Sequence, residues 1–381
     1  MARRVAICAV AQTTYQRNKW DQRFQTMALD VLEDLKAQTG FDFAARGGHM
    51  SISVSDDVFD ARTISDNAMT DVLGAHFGCE EKVAQEGIQA LYYGLAAIAS
   101  GHTDVVLVIG HCKESQPASR NMVTHLAFDP FYTRPLGLDF CAAAGLQARA
   151  YGAKAGITDE QLAKVVVRCR AKAAANPFTP EVAPLDADQV IASPMLADPI
   201  RQLHAYPVSD GAVGLVLAAE QQAKHFTDTP VWITGVGNSI DRFFLGDRDL
   251  AANGALKAAA RRAYNRAGID DPAKAFDVIE VCDQYAYQQP LWLEGLGICE
   301  EGRGGTFIDT DGPERCHVNP SGGMLAGNPL VLGGLVRAAE AALQLMGKAG
   351  ARQVPEARRA LGHGVMGPAG QFHSVAVLER D

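Results

Sequence analysis

Cys282-Asp283-Gln284-Tyr285 sets a thiol, a carboxylate, an amide and a phenol side by side, directly after the strand-like run Val278-Ile-Glu-Val281. A thiol at a strand end is a nucleophile if a cation or helix N-terminus lowers its pKa from about 8.5 toward neutrality. Enclosed by apolar side chains it is an inert, small hydrophobe. Asn319-Pro-Ser-Gly-Gly323 and Gly327-Asn328-Pro329-Leu330 form the second candidate segment. Glycines at that density are needed where backbone approaches a ligand or adopts positive φ, which marks Gly322, Gly323 and Gly327 as ligand-approach positions. The Asn328 amide takes up no proton at neutral pH. It can donate to a developing oxyanion, or it can hold its own loop. His363, in Leu361-Gly-His-Gly-Val-Met-Gly-Pro-Ala-Gly370, titrates near working pH and is a candidate acid or base. Glu86 is either a favourable charge on a helix dipole or a general base.

These residues must be placed by buried helices and strands. Glu81 to His111 reads as one buried helix starting at Lys82, ended by Gly101 and followed by the strand Asp104–Gly110. From Ile88 to Ala99 nearly every face is apolar or small, which predicts a helix enclosed on all sides. The β-branched run after it predicts a strand covered on both faces. The order repeats: Val5–Val10 opens one half and Val231–Gly235 the other; the helix at 85–99 leads to the strand at 104–110, and the helix Leu335–Met346 to the strand His373–Leu378. We expect an α/β internal duplication with halves at 1–228 and 229–381, the first carrying an insert over about 112–228. Gly235-Val-Gly237 follows a strand but lacks the third glycine of a dinucleotide loop.

A net charge of −9 with few clustered cations argues against a nucleic-acid surface. The eight cysteines show no Cys-x-x-Cys pair or histidine spacing that would indicate a disulfide framework or zinc, so no metal is expected. No stretch reaches membrane-spanning length, and no signal-peptide pattern precedes Val5, so a cytoplasmic location is expected.

Val83, Gly87 and Asp104-Val105-Val106 resemble the thiolase superfamily, whose central helix begins Val-Cys-x-Ser-Gly. Ala84 stands at the cysteine and Glu86 at the serine. Pro207-Val-Ser-Asp-Gly-Ala212, the Asn319 and Gly327 loops and the Leu361–Gly370 segment extend the resemblance over nearly the whole chain. Asn328 takes the place of the Gly-His-Pro histidine, and Cys282-Asp283-Gln284-Tyr285 that of the His-Asp-Cys-Phe motif of sterol-carrier-type thiolases. Pro207–Ala212 reads bottom-up as a tight Asp-Gly turn.

The resemblance implies a thiolase-like five-layer α/β/α/β/α duplicated fold, coenzyme A as a substrate, and a homodimer core. Three functions are compatible with it. The first, ranked ahead, is acyl transfer on a bulky, aromatic β-ketoacyl-CoA such as an aroylsuccinyl-CoA in a degradation pathway, with Cys282 or another cysteine replacing Ala84. The second is retro-aldol cleavage of a β-hydroxyacyl-CoA, which needs no nucleophile. Steroid side-chain aldolases of the superfamily also lack the cysteine, but they carry tyrosines at the positions of Cys282 and Asn328. The third is a non-catalytic subunit of a hetero-oligomer. A small OB-fold and zinc-ribbon subunit is the partner implied for the first two.

Overall fold

The computed structural model describes residues 3–43, 48–61, 64–84, 86–180 and 183–381. Its strands are β1 (Val5–Gln12), β2 (Met50–Val54), β3 (Cys79–Val83), β4 (Val105–Lys113), β5 (Met195–Ala197), β6 (Ile200–Arg201), β7 (Asp210–Ala219), β8 (Val231–Ile240), β9 (Val278–Glu280), β10 (Arg359–Met366) and β11 (Phe372–Glu379). The principal helices are α1 (Phe24–Thr39), α2 (Gly87–Ala99), α3 (Phe140–Ala155), α4 (Asp159–Ala173), α5 (Gly254–Ala267), α6 (Gln288–Gly295) and α7 (Gly333–Leu345).

Nine strands join in the order β3-β2-β4-β7-β1-β8-β11-β10-β9. The order is the same outward from the β1–β8 seam in both directions. β1 pairs antiparallel with β7, β7 antiparallel with β4, and β4 parallel with β2; β8 pairs antiparallel with β11, β11 antiparallel with β10, and β10 parallel with β9. The seam is short, with Ala6 facing Trp232 and Ile7 facing Val231. Across it the two sheet halves close over α2 and α7, which pack on each other and reach strands of both halves. α1 covers the outside of one half and α5 the outside of the other. The layers are therefore helix, sheet, helix pair, sheet, helix, and β1, β4 and β7 are buried along their whole length because each is covered twice.

Four details depart from the sequence reading. The segment expected to begin the central helix is the edge strand β3, in parallel register with β2 from Met50–Cys79 to Val54–Val83. The helix starts at Gly87, where Glu86 caps it. Periodicity cannot separate a short apolar–polar strand from a helix turn, and pairing with β2 decides the outcome. Nor is α2 enclosed all round, since Tyr93 at its midpoint is 50% exposed. Finally, Gly235 and Gly237 lie within β8; a Cβ at either would overlap the α5 backbone at Ala263 or Ala259, so they let helix and strand approach closely. Asp210 likewise begins β7 instead of a turn, and it accepts hydrogen bonds from the Lys19 and Ser115 amides at 2.9 Å.

No helix of the described residues is long and apolar enough to cross a membrane.

Candidate active site

The end of β9 and the glycine loop after Val318 are tied by reciprocal bonds. The Val281 amide donates to Asn319 Oδ1 at 2.7 Å, and Asn319 Nδ2 donates to the Val281 carbonyl at 3.1 Å. Asp283 completes the tie. It accepts from the Met324 amide at 2.7 Å, Gln289 Nε2 at 2.8 Å and Asn319 Nδ2 at 3.0 Å. Burial pushes its carboxyl up to about 6, against the pull of Arg337 and these donors. Gly322, Gly323 and Gly327 all have positive φ, and what their backbone approaches is protein. A Cβ on Gly323 would overlap Asn319 and Asp283, and one on Gly327 would press on Pro180 and Pro207.

Cys282 is fully buried. Its Sγ lies 3.5 Å from Met324 Sδ, and Gly333 is a glycine because any Cβ would strike that sulfur. Burial pushes the thiol up to about 12; the nearby Arg337 lowers it too little to offset this. We expect Cys282 to resist alkylation in the native protein and to react only on unfolding. Mass mapping after a pulse of iodoacetamide, with and without denaturant, checks this.

The Cys282 amide donates to His363 Nδ1 at 3.4 Å, so His363 Nε2 carries the ring proton and donates to His373 Nδ1 at 3.0 Å. His373 in turn hydrogen-bonds the Gly370 backbone. Both rings are buried beside Trp292, and burial pushes His363 well below the ordinary imidazole value and His373 to about 3. At neutral pH the pair is uncharged, and both His363 nitrogens are engaged within the protein.

Glu86 turns its carboxylate back onto the start of α2, accepting from the Ile88 amide at 2.9 Å and the Gln89 amide at 2.7 Å. Gly334 on α7 and Gly364 on β10 make room for it, since a Cβ on either would overlap Oε2. Ala84, two residues earlier, is exposed. Desolvation pushes Glu86 up to about 7 despite the capping bonds. Because the folded state holds this proton more tightly than the unfolded chain, the Glu86 contribution favours folding at low pH and is lost as pH rises from about 4.5 to about 7. We expect Glu86→Gln to gain about 3 kcal/mol relative to wild type between pH 4.5 and pH 8. Urea midpoints for both proteins across that range check it.

Asn328 is 1% exposed. Arg337 Nη2 donates to its Oδ1 at 3.1 Å, while its Nδ2 has only the Pro329 carbonyl at 3.4 Å. The same guanidinium bonds Glu280 Oε2 at 2.6 Å and Ser321 Oγ at 2.7 Å.

Tyr285 is placed differently. Its backbone bridges to Ala205, and its side chain lines a cavity of about 550 Å³ together with Arg120, Asp139, Cys141, Leu196 and Val208. Cys141 sits in the first turn of α3, capped by Asp139, and burial pushes its thiol up to about 11. Arg120 stacks on the Tyr206 ring at 4.1 Å and donates to the Tyr206 carbonyl at 3.0 Å. The structure thus gathers Cys282, Asp283, Asn328 and His363 around one packed loop crossing, with Glu86 reaching its edge through Gly364, and sets Tyr285 on a neighbouring cavity. Pro207 packs against Gly327 of the crossing, and its neighbours Ala205 and Val208 line the cavity, so the two regions adjoin. The sequence reading missed Arg120, Cys141 and Arg337. A signal existed for the last, an arginine three residues before Glu340 inside an Ala- and Leu-rich helix.

Among the described residues, no group of three or more His, Cys, Asp or Glu side chains is placed to hold a metal.

Residues 237–380 match the family model described as thiolase C-terminal domain-like. An acetyl-CoA acetyltransferase of Methanothermobacter thermautotrophicus is 32% identical over 388 residues, covering 97% of each chain. The chain belongs to the thiolase superfamily. Within that superfamily it is also 25% identical over 297 residues, 74% of each chain, to the benzoylsuccinyl-CoA thiolase subunit BbsB of Thauera aromatica. The Ltp2-ChsH2(DUF35) aldolase structure superposes with a TM-score of 0.84 at 20% identity, covering 99% of this chain and 98% of that one. At that identity the superposition speaks for a shared thiolase fold.

Proposed function

We propose that this thiolase-superfamily chain breaks a carbon–carbon bond of a bulky β-hydroxyacyl-CoA by retro-aldol chemistry, with no acyl-enzyme. The observation that carries this is the state of Cys282. The stretch between β3 and α2, where the superfamily places its nucleophile, holds Ala84, and the thiol that could replace it is sealed between Met324 and Gly333 with its pKa near 12. Retro-aldol cleavage does without a nucleophile. The hydroxyl passes its proton to water in the cavity, the carbon–carbon bond electrons pass into a thioester enolate, the aldehyde or ketone departs, and a proton from water returns at Cα to leave a shorter acyl-CoA.

Such a reaction asks the protein for a donor to the enolate oxygen, a partner for the hydroxyl and a place for the acyl group. Asn328 Nδ2 is assigned to the oxygen. Tyr285 is assigned to the hydroxyl, since among the candidate side chains it is the one that lines the cavity. The volume of about 550 Å³, with Leu196 and Val208 among its walls, suits an acyl group of ring size. The aromatic substrate class is further supported by the kinship with a benzoylsuccinyl-CoA thiolase subunit. We assign a homodimer core and a small partner subunit as well, the latter supported by the two-component name of the aldolase neighbour.

Acyl transfer is the second reading, favoured by the acetyltransferase kinship and by Cys141, a half-buried thiol on the cavity wall. Paired variants separate the two. Cys282→Ala and Cys141→Ala each retain turnover of a β-hydroxyacyl-CoA under the aldol reading, whereas loss of activity on removal of either thiol sinks it.

A further inference from the structure

The side-chain amide of an asparagine can be turned either way, and only one orientation makes Asn328 a donor. Arg337 decides which. A guanidinium carries donors and no acceptor, so the atom of Asn328 that meets Nη2 at 3.1 Å is Oδ1. The Nδ2 group is thereby turned away from Arg337, with a long 3.4 Å contact to the Pro329 carbonyl as its bond within the protein. Arg337 is itself fixed: Nη1 is bonded to Glu280 Oε2 and Ser321 Oγ, and Ser321 in turn donates its hydroxyl to Glu280 Oε2 at 2.8 Å and its amide to Oε1 at 3.1 Å. All four side chains are at most 2% exposed. The clamp therefore links β9, the glycine loop and α7 to one rotamer of one amide.

We propose that Arg337, held by Glu280 and Ser321, is a positioning residue that keeps the Asn328 amide turned to donate to a thioester or enolate oxygen. This rests on the assignment of Asn328 to that oxygen. Without the clamp the amide is free to flip and present its carbonyl, which repels a developing oxyanion.

The test reads the carbonyl stretch of acetyl-CoA labelled with ¹³C at C1, by isotope-edited infrared spectroscopy on the full-length protein. Wild type is expected to move the band to lower wavenumber than in free acetyl-CoA. Asn328→Asp keeps an oxygen against Arg337 and removes the donor; it is expected to melt no lower than wild type and to lose the shift. The double variant Glu280→Gln with Arg337→Gln, which removes both charges of that ion pair together, is expected to lose most of it. A shift retained in either variant overturns the proposal, as does a wild type that produces none. Turnover is not needed for this readout. A wild type that polarises the carbonyl but fails to cleave a β-hydroxyacyl-CoA contradicts the retro-aldol reading alone, whereas cleavage without polarisation contradicts the positioning role alone.

Discussion

Asn328→Ala lowers kcat on a β-hydroxyacyl-CoA by about 10²–10³-fold and leaves KM within a few-fold, the loss measured when a single oxyanion donor is removed elsewhere. The split follows from when the interaction is needed. A ground-state thioester oxygen carries little charge and binds the amide weakly, so KM is insensitive to it. The enolate oxygen carries nearly a full charge beside a buried amide, where one N–H donor is worth more than in solvent. Removing the side chain also leaves Arg337 Nη2 without its 3.1 Å partner, at a stability cost of about 1–3 kcal/mol. Steady-state kinetics together with a denaturation curve separate the two effects, because a protein that has merely lost stability recovers its kcat at lower temperature.

Arg337→Met destabilises the fold by about 3–5 kcal/mol at pH 8, as expected when one member of a buried ion pair is removed. What it leaves behind is Glu280, fully buried, 2.6 Å from the lost guanidinium and bonded otherwise to Ser321 alone. Burial holds Glu280 up at about 7 even with Arg337 present. Without the cation its pKa rises further, so at pH 6 the variant carries a neutral carboxylic acid and avoids most of the penalty. The deficit against wild type is therefore expected to shrink on acidification from pH 8 to pH 6. Urea unfolding at the two pH values checks both magnitude and sign.

The architecture was legible where burial alone dictates the pattern. The run that became β4 is continuous and β-branched because helices cover both faces, and the repeat of strand and helix order survives in the mirrored sheet topology. The start of α2 was not legible. Cys79–Val83 is a strand only because β2 offers it a parallel partner, information located some thirty residues upstream. In the candidate site, Asn328 and Glu86 could be picked out as altered positions, but their environments could not. Whether the Cys282 thiol faced a ligand depended on Met324 and on the missing side chain at Gly333, both far along the chain. The His363–His373 pair arises from the β10–β11 ladder, in which His363 faces Val375 across strands and its ring still reaches His373. The cavity beside Tyr285 draws Arg120 and Cys141 from the insert, which the sequence presented only as polar helices and proline-rich loops. Glycine density in the Asn319–Gly327 loops pointed to close backbone approach, and the approach found is to Asp283, Asn319 and the two prolines.

One incubation bears on the central claim most directly. The protein, with a β-hydroxyacyl-CoA and a β-ketoacyl-CoA of the same aromatic acyl group in separate reactions, is followed by product analysis and intact-protein mass. The aldol account predicts release of an aldehyde or ketone and a shortened acyl-CoA from the hydroxy substrate, no demand for free CoA, and no acyl adduct on the protein at any time. CoA-dependent cleavage of the keto substrate, with an acyl adduct mapping to a cysteine, would contradict it.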